Sequence, residues 1–209
     1  MPNSIETIMQ TSPVIPVIVI DQLADAVPMA KALVAGGLRV LEVTLRTQHG
    51  LQAISDIKKA VPDAIVGAGT VITAEDVSNC VNAGAEFLVS PGATPALLDA
   101  AAAHGVPLLP GINTPSEAMA LLARGIHHMK FFPAEAAGGI PMLKSIAGPL
   151  PQVKFCPTGG INIQNAADYL ALNNVLCIGG SWMLDKASLE NKDWSGIQKQ
   201  AAEITQTLG

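Results

Sequence analysis

Aromatic residues make up only 3% of the 209 residues and charged residues only 14%. With so little ring volume, aliphatic side chains and alanine must fill the core, and a hydrophobic fraction of 49% supplies them. A disordered chain has the opposite balance. Basic runs interleaved with aromatics are missing and the net charge is −5, so no nucleic-acid partner is expected. No apolar run approaches the roughly 20 residues of a membrane helix. The first residues, MPNSIETIMQ, lack the basic-then-apolar pattern of a secretory leader. A cytoplasmic location without membrane contact is therefore expected. Cysteine is confined to Cys80, Cys156 and Cys177, which lack C-x-x-C spacing and read as buried free thiols. His49, His104, His127 and His128 have no ligand spacing, so no metal is expected, nor any other cofactor. There is no G-x-S-x-G elbow for a nucleophilic serine.

What the chain does have is alternation. Short β-rich runs at 14–20, 39–45, 64–70, 87–90, 107–112, 128–132, 153–157 and 175–178 are separated by alanine-rich stretches. Those stretches predict helices over 23–35, 49–60, 74–83, 95–103, 115–123, 141–147, 164–170 and 188–207, several stopped by glycine. A small extra helix at about 3–10 precedes the first strand. Strands alternating with helices imply parallel pairing through crossovers, with strands covered on both faces. Eight such units fit an α/β (β/α)8 TIM barrel, one domain over 1–209. An open doubly wound sheet would typically carry a glycine fingerprint in its first βα turn, where this chain has Ile20-Asp21-Gln22-Leu23.

In a barrel the chemistry sits at the C-terminal ends of the strands. Two strand interiors carry charge among apolar neighbours: Val40-Leu41-Glu42-Val43-Thr44-Leu45-Arg46, and Met129-Lys130-Phe131-Phe132. An ammonium withdrawn from water is costly unless paired or neutral, and a neutral amine can attack a carbonyl. Taken alone, Lys130 and Glu42 could equally form a buried ion pair with no catalytic task. Their position favours chemistry. Glu42, Thr44 and Arg46 alternate on one face, as do Lys130 and Phe132. One cavity would then hold an amine, a carboxylate for proton transfer, a guanidinium suited to a substrate carboxylate, and an aromatic wall.

Two glycine pairs follow the seventh and eighth strands: Pro157-Thr158-Gly159-Gly160-Ile161 and Gly179-Gly180-Ser181-Trp182. Barrels often bind phosphate in these loops, because glycine lets backbone N–H groups approach an oxyanion. Gly67-Ala68-Gly69-Thr70 brings a hydroxyl to the mouth at Thr70, and Ser90-Pro91-Gly92 shapes its wall. Gly138-Gly139 is either flexible or substrate-facing, and Glu135 reads as a solvated loop carboxylate.

These segments, with Val14-Ile15-Pro16-Val17-Ile18, Leu41 to Thr47, Lys130-Phe131-Phe132-Pro133-Ala134-Glu135 and Ile178-Gly179-Gly180-Ser181-Trp182, resemble the bacterial 2-keto-3-deoxy-6-phosphogluconate aldolases. That family also includes 4-hydroxy-2-oxoglutarate aldolase activity. The resemblance runs in order along nearly the whole chain. It implies a metal-independent class I aldolase of the Entner–Doudoroff pathway, usually a homotrimer, acting on a small 2-keto acid phosphate. Lys130 matches the Schiff-base lysine and Glu42 the general acid/base. Arg46 and Thr70 match groups that hold the pyruvate carboxylate. Phe132, Pro91 and Thr158 match the pocket wall, and Gly159, Gly160, Gly179, Gly180 and Ser181 the phosphate site. Ala137 departs from the pattern, since relatives often have asparagine there. Two other classes compete on the residues alone: a phosphate-binding synthase or epimerase barrel that forms no imine, and a non-catalytic sugar-phosphate-binding barrel.

Overall fold

A computed structural model describes residues 4–209. A short helix, α1 (Ile5–Thr11), opens the described chain, and Ser4 caps it by accepting from the Thr7 N–H. The expected start of this helix at residue 3 lies outside the described residues.

Six parallel strands form one sheet: β1 (Val14–Ile18), β2 (Val40–Thr44), β3 (Ile65–Gly69), β4 (Phe87–Val89), β5 (Leu108–Leu109) and β9 (Ile178–Gly180). Their order is β5-β4-β3-β2-β1-β9. Three more, β6 (Gly111–Ile112), β7 (His128–Phe131) and β8 (Lys154–Pro157), make a parallel sheet in the order β6-β7-β8. The run expected as one strand over 107–112 is thus two pieces. Proline has no N–H to give a ladder, and Pro110 interrupts the run. The Pro110 carbonyl still accepts from the Lys130 N–H at 2.9 Å. Single bridges, Phe155 to Val175 and Thr158 to Gly179, connect β8 with the chain around β9.

Between the strands run α2 (Ala26–Ala35), α3 (Gly50–Ala60), α4 (Ala74–Ala83), α5 (Pro95–His104), α6 (Pro115–Leu122), α7 (Gly139–Ala147) and α8 (Ala166–Leu170). Sequence chemistry sets their ends. Thr73 and Thr114 each form a reciprocal capping box, with Asp76 and Glu117 respectively. Gly84 and Gly105 close α4 and α5 in the left-handed conformation. The helix expected from 164 starts two residues later. The Asn162 and Asn165 side chains accept from the N–H groups of Gln164 and Asn162, an asparagine turn that competes with the helix. The single helix expected over 188–207 is two, α9 (Lys186–Glu190) and α10 (Trp194–Leu208). The break falls where Lys192 takes a φ of 53° and Asp193 turns its carboxylate onto the Gly196 N–H.

Alternate strand residues fall into two separate apolar clusters, as a period of two requires. Val14, Leu41, Val43, Val66, Leu88, Met129, Phe131 and Phe155 pack toward the helices. Ile15, Val40, Phe87, Val89, Leu109, Cys156 and Cys177 pack on the opposite face, where Ile8 and Met9 of α1 join them. Glu42 and Lys130 each fall one step beyond a helix-facing neighbour, so both belong to this second face, the one lined by Cys156.

Because Ile8 is fully buried in this smaller cluster, Ile8→Ala is expected to lower unfolding free energy by about 2–5 kcal/mol. Urea denaturation measures it; a loss below about 1 kcal/mol would contradict the assigned role of α1.

Candidate active site

Lys130 of β7 is 4% exposed and Glu42 of β2 is 3% exposed. The Lys130 Nζ donates to Glu42 Oε1 at 3.2 Å. They come from different sheets and lie 88 positions apart in sequence, so it is the meeting of the two sheets that unites them. Gly69 makes room: a Cβ there would run into the Glu42 carboxylate. The amine also lies 5.3 Å from the centroid of the Phe132 ring, two residues along the same face. An amine and a carboxylate in contact, out of bulk water, can pass a proton between them while the amine reacts.

Phe132, and Val17 which pairs with Glu42 across β1 and β2, also line a cavity of about 260 Å³ together with Arg46, Thr158, Gly159, Gly160, Ile161, Gly179, Gly180 and Ser181; Lys130 and Glu42 themselves adjoin it without lining it. It gathers the arginine, the aromatic wall, Thr158 and all five residues of the two glycine segments singled out from sequence. Thr70 does not line it but supports the residue that does, since its hydroxyl accepts from Arg46 Nε at 3.4 Å. Thr70 takes a φ of +63°. That conformation is unfavourable for a β-branched residue, and such strain concentrates at functional sites. Pro91 is exposed and outside this lining; its carbonyl packs instead against Gly111, where no Cβ fits.

The glycine loop is oriented peptide by peptide. The Thr158 carbonyl accepts from the Ala134 N–H at 2.8 Å, and the Gly159 carbonyl accepts from the Glu135 N–H at 3.1 Å. The Gly160 carbonyl accepts from the Asn165 side chain at 3.3 Å. In a trans peptide the N–H points opposite the C=O. The N–H groups of Gly159, Gly160 and Ile161 are therefore turned away from those partners; that of Gly159 faces Gly179 across the bridge to β9, while those of Gly160 and Ile161 find no acceptor among the described residues. Gly159 and Gly160 take φ of 104° and 79°, which only glycine adopts freely. Successive N–H groups left free at a cavity wall, as at Gly160 and Ile161, are an arrangement that can accept an oxyanion. The Thr158 hydroxyl, also unpartnered among the described residues, adds a further polar atom.

A matching protein-family model, KDPG and KHG aldolase, spans residues 5–200. The chain belongs to the KDPG and KHG aldolase family. It is accordingly an aldolase, a lyase. It is 55% identical over 204 residues to the KHG/KDPG aldolase of Escherichia coli K12, covering 98% of this chain and 96% of that protein. It is 54% identical to the 2-dehydro-3-deoxy-phosphogluconate aldolase of Dickeya dadantii, covering 96% and 94%. Among solved structures, the KDPG aldolase of Legionella pneumophila superposes with a TM-score of 0.95 at 50% identity, covering 98% of this chain and all of the other. That crystal holds pyruvate captured as a covalent carbinolamine intermediate. The Zymomonas mobilis KDPG aldolase with 3-phosphoglycerate gives 0.94 at 46% identity, covering 100% and 98%.

One residue has a partner that sequence did not show. Glu135, expected as a solvated loop carboxylate and indeed exposed, also accepts a hydrogen bond from the Tyr169 hydroxyl, across 34 positions of chain. Burial, then the Glu135 hydrogen bond and charge, push the Tyr169 phenol well above its ordinary range, so it stays a donor. No motif marked Tyr169; only its place in the short helix α8 after the glycine loop could have drawn notice.

The tight fit at Gly69 yields a test. Gly69→Ala should displace the Glu42 carboxylate and lower kcat by roughly a hundredfold, since small misplacements of reacting groups carry such penalties. Aldol cleavage kinetics on folded variant measure it; near-normal kcat would mean Glu42 needs no fixed position.

Proposed function

We propose that this protein is a class I aldolase that cleaves 2-keto-3-deoxy-6-phosphogluconate to pyruvate and glyceraldehyde 3-phosphate, and 4-hydroxy-2-oxoglutarate to pyruvate and glyoxylate. The observation that carries the reading is the buried Lys130–Glu42 contact at 3.2 Å beside a cavity with an oxyanion cradle. Relatives named for both substrates, and one caught with pyruvate as a carbinolamine, support it.

In the mechanism, neutral Lys130 Nζ attacks the C2 ketone, having passed its proton to Glu42. Glu42 then protonates the carbinolamine hydroxyl, which leaves as water and gives the iminium. The iminium withdraws electrons from C3, so loss of the C4 hydroxyl proton breaks C3–C4 and releases the aldehyde. Protonation of the enamine at C3 regenerates an iminium. Water adds to it, pyruvate departs and Lys130 is freed. Arg46, braced by Thr70, takes the substrate carboxylate. Phe132, Thr158 and Pro91 are the wall positions, with Pro91 contributing at most from the rim. Gly159, Gly160, Gly179, Gly180 and Ser181 take the phosphate. A synthase or epimerase without an imine, or a non-catalytic sugar-phosphate binder, would have no use for an amine set against Glu42.

The fold we infer is a complete (β/α)8 barrel formed by the whole chain as one domain. Counting β5 and β6 as one strand, and closing the ring through the two bridges to β8, gives eight strands. We assign the protein to the Entner–Doudoroff pathway and to a homotrimeric assembly, both on the family resemblance. Three free cysteines suit a cytoplasmic setting. No helix among the described residues is long and apolar enough to cross a membrane.

Lys130→Ala, verified as folded by circular dichroism, should lose roughly a thousandfold or more in kcat on either substrate. Retention of most activity would favour a reaction without an imine. Side-by-side kcat/KM values for the phosphorylated and unphosphorylated substrates should favour the former, and equality would remove the phosphate role of the glycine loops.

A further inference from the structure

We propose that Glu135 and Tyr169 form a latch that sets the geometry of the Gly159–Ile161 cradle and so determines selectivity for phosphorylated over unphosphorylated substrates. The inference rests on the proposed phosphate role of that loop and adds two positioning residues to it. Neither residue lines the cavity.

Glu135 acts on the loop in two ways. Its N–H holds the Gly159 carbonyl at 3.1 Å and thereby aims the Gly160 N–H in the opposite direction. Its side chain lies flat on Gly160, so closely that a Cβ at Gly160 would be 2.6 Å from Glu135 Cγ. The loop therefore cannot fall back without moving Glu135. Tyr169 in turn fixes Glu135. Its ring is fully buried beneath the loop, and its hydroxyl donates to the Glu135 carboxylate.

The spacing is specific. Gly139, at the start of α7, has a φ of 54°, and a Cβ there would be 2.9 Å from the Tyr169 hydroxyl and 3.2 Å from Glu135 Oε1. The Gly138-Gly139 pair, unassigned from sequence, thus clears the space for the latch. The latch also bears on electrostatics. A free carboxylate beside an anion cradle would repel a phosphate; here the carboxylate is tied to the Tyr169 phenol next to Gly139, and only its Cβ and Cγ lie against Gly160. Arg46, Lys130 and Glu42 lie outside this contact, so the imine chemistry is untouched by it.

The probe is inorganic phosphate as a competitive inhibitor of 4-hydroxy-2-oxoglutarate cleavage, together with KM and kcat on both substrates. Tyr169→Phe keeps the buried ring and removes one hydrogen bond. It should raise the phosphate inhibition constant and the KM for the phosphorylated substrate by about three- to tenfold. The kcat on both substrates and the KM for 4-hydroxy-2-oxoglutarate should stay within about twofold of wild type. Glu135→Ala should behave like Tyr169→Phe, and Glu135→Gln, whose amide oxygen can still accept from Tyr169, should recover most of the loss. Because Glu135 is exposed, its variants decide the matter even if Tyr169→Phe does not fold. Equal losses on both substrates, unchanged phosphate inhibition, or no recovery with glutamine would overturn the latch. If the wild-type enzyme is itself insensitive to phosphate and does not distinguish the substrates, the phosphate reading of the loop falls with it.

Discussion

Everything in the site depends on keeping a lysine and a glutamate out of water against each other. Two charges withdrawn from solvent are tolerated only when they are paired, and removing one partner typically costs about 3–5 kcal/mol. The surroundings of Lys130 and Glu42 are shaped by that constraint. Glu42 fits because Gly69 has no side chain in its way. Thr44, next on the same face, satisfies its own hydroxyl on the Ile18 carbonyl rather than competing for the carboxylate. Phe132 closes the approach on the side of the amine. Below them Cys156 and Cys177, with Val89 and Leu109, offer no strong competing hydrogen-bond partner. The pair is left with each other and with whatever enters from the cavity.

The cavity supplies a complementary arrangement at its other wall. There the functional atoms are main-chain N–H groups, whose direction depends on their peptide planes. Three planes in succession are fixed by donors outside the loop, Ala134, Glu135 and Asn165. An oxyanion site of this kind, as proposed here, would need no side-chain charge and so is compatible with a net charge of −5. A substrate with a keto acid at one end and a phosphate at the other would meet amine and guanidinium first, and backbone dipoles last.

Much of this was legible in sequence because it is periodic or local. Charge inside an apolar strand is conspicuous, so Glu42 and Lys130 stood out, and alternation assigned Phe132 to the same face as Lys130. Several helix ends followed from the stop glycines. What sequence did not reveal was set by contacts between distant segments or by competing local hydrogen bonds. Glu135 is exposed as expected, but its bond to Tyr169 was hidden because Tyr169 lies in another βα unit. Pro91 was expected on the pocket wall, but it is exposed and outside the cavity lining, its carbonyl packed in the room that Gly111 leaves. The break between α9 and α10 lies in the Asn191-Lys192-Asp193 segment, whose helical periodicity conceals how readily aspartate caps a new start.

The central claim is that Lys130, and no other amine, carries the substrate. Substitution alone tests this indirectly, because it leaves Glu42 buried without its partner. Borohydride reduction in the presence of pyruvate tests it with the native pair intact. The account predicts irreversible inactivation with one pyruvate-derived adduct per chain, mapped by peptide mass spectrometry to Lys130. No adduct, or an adduct on a different lysine, would contradict it.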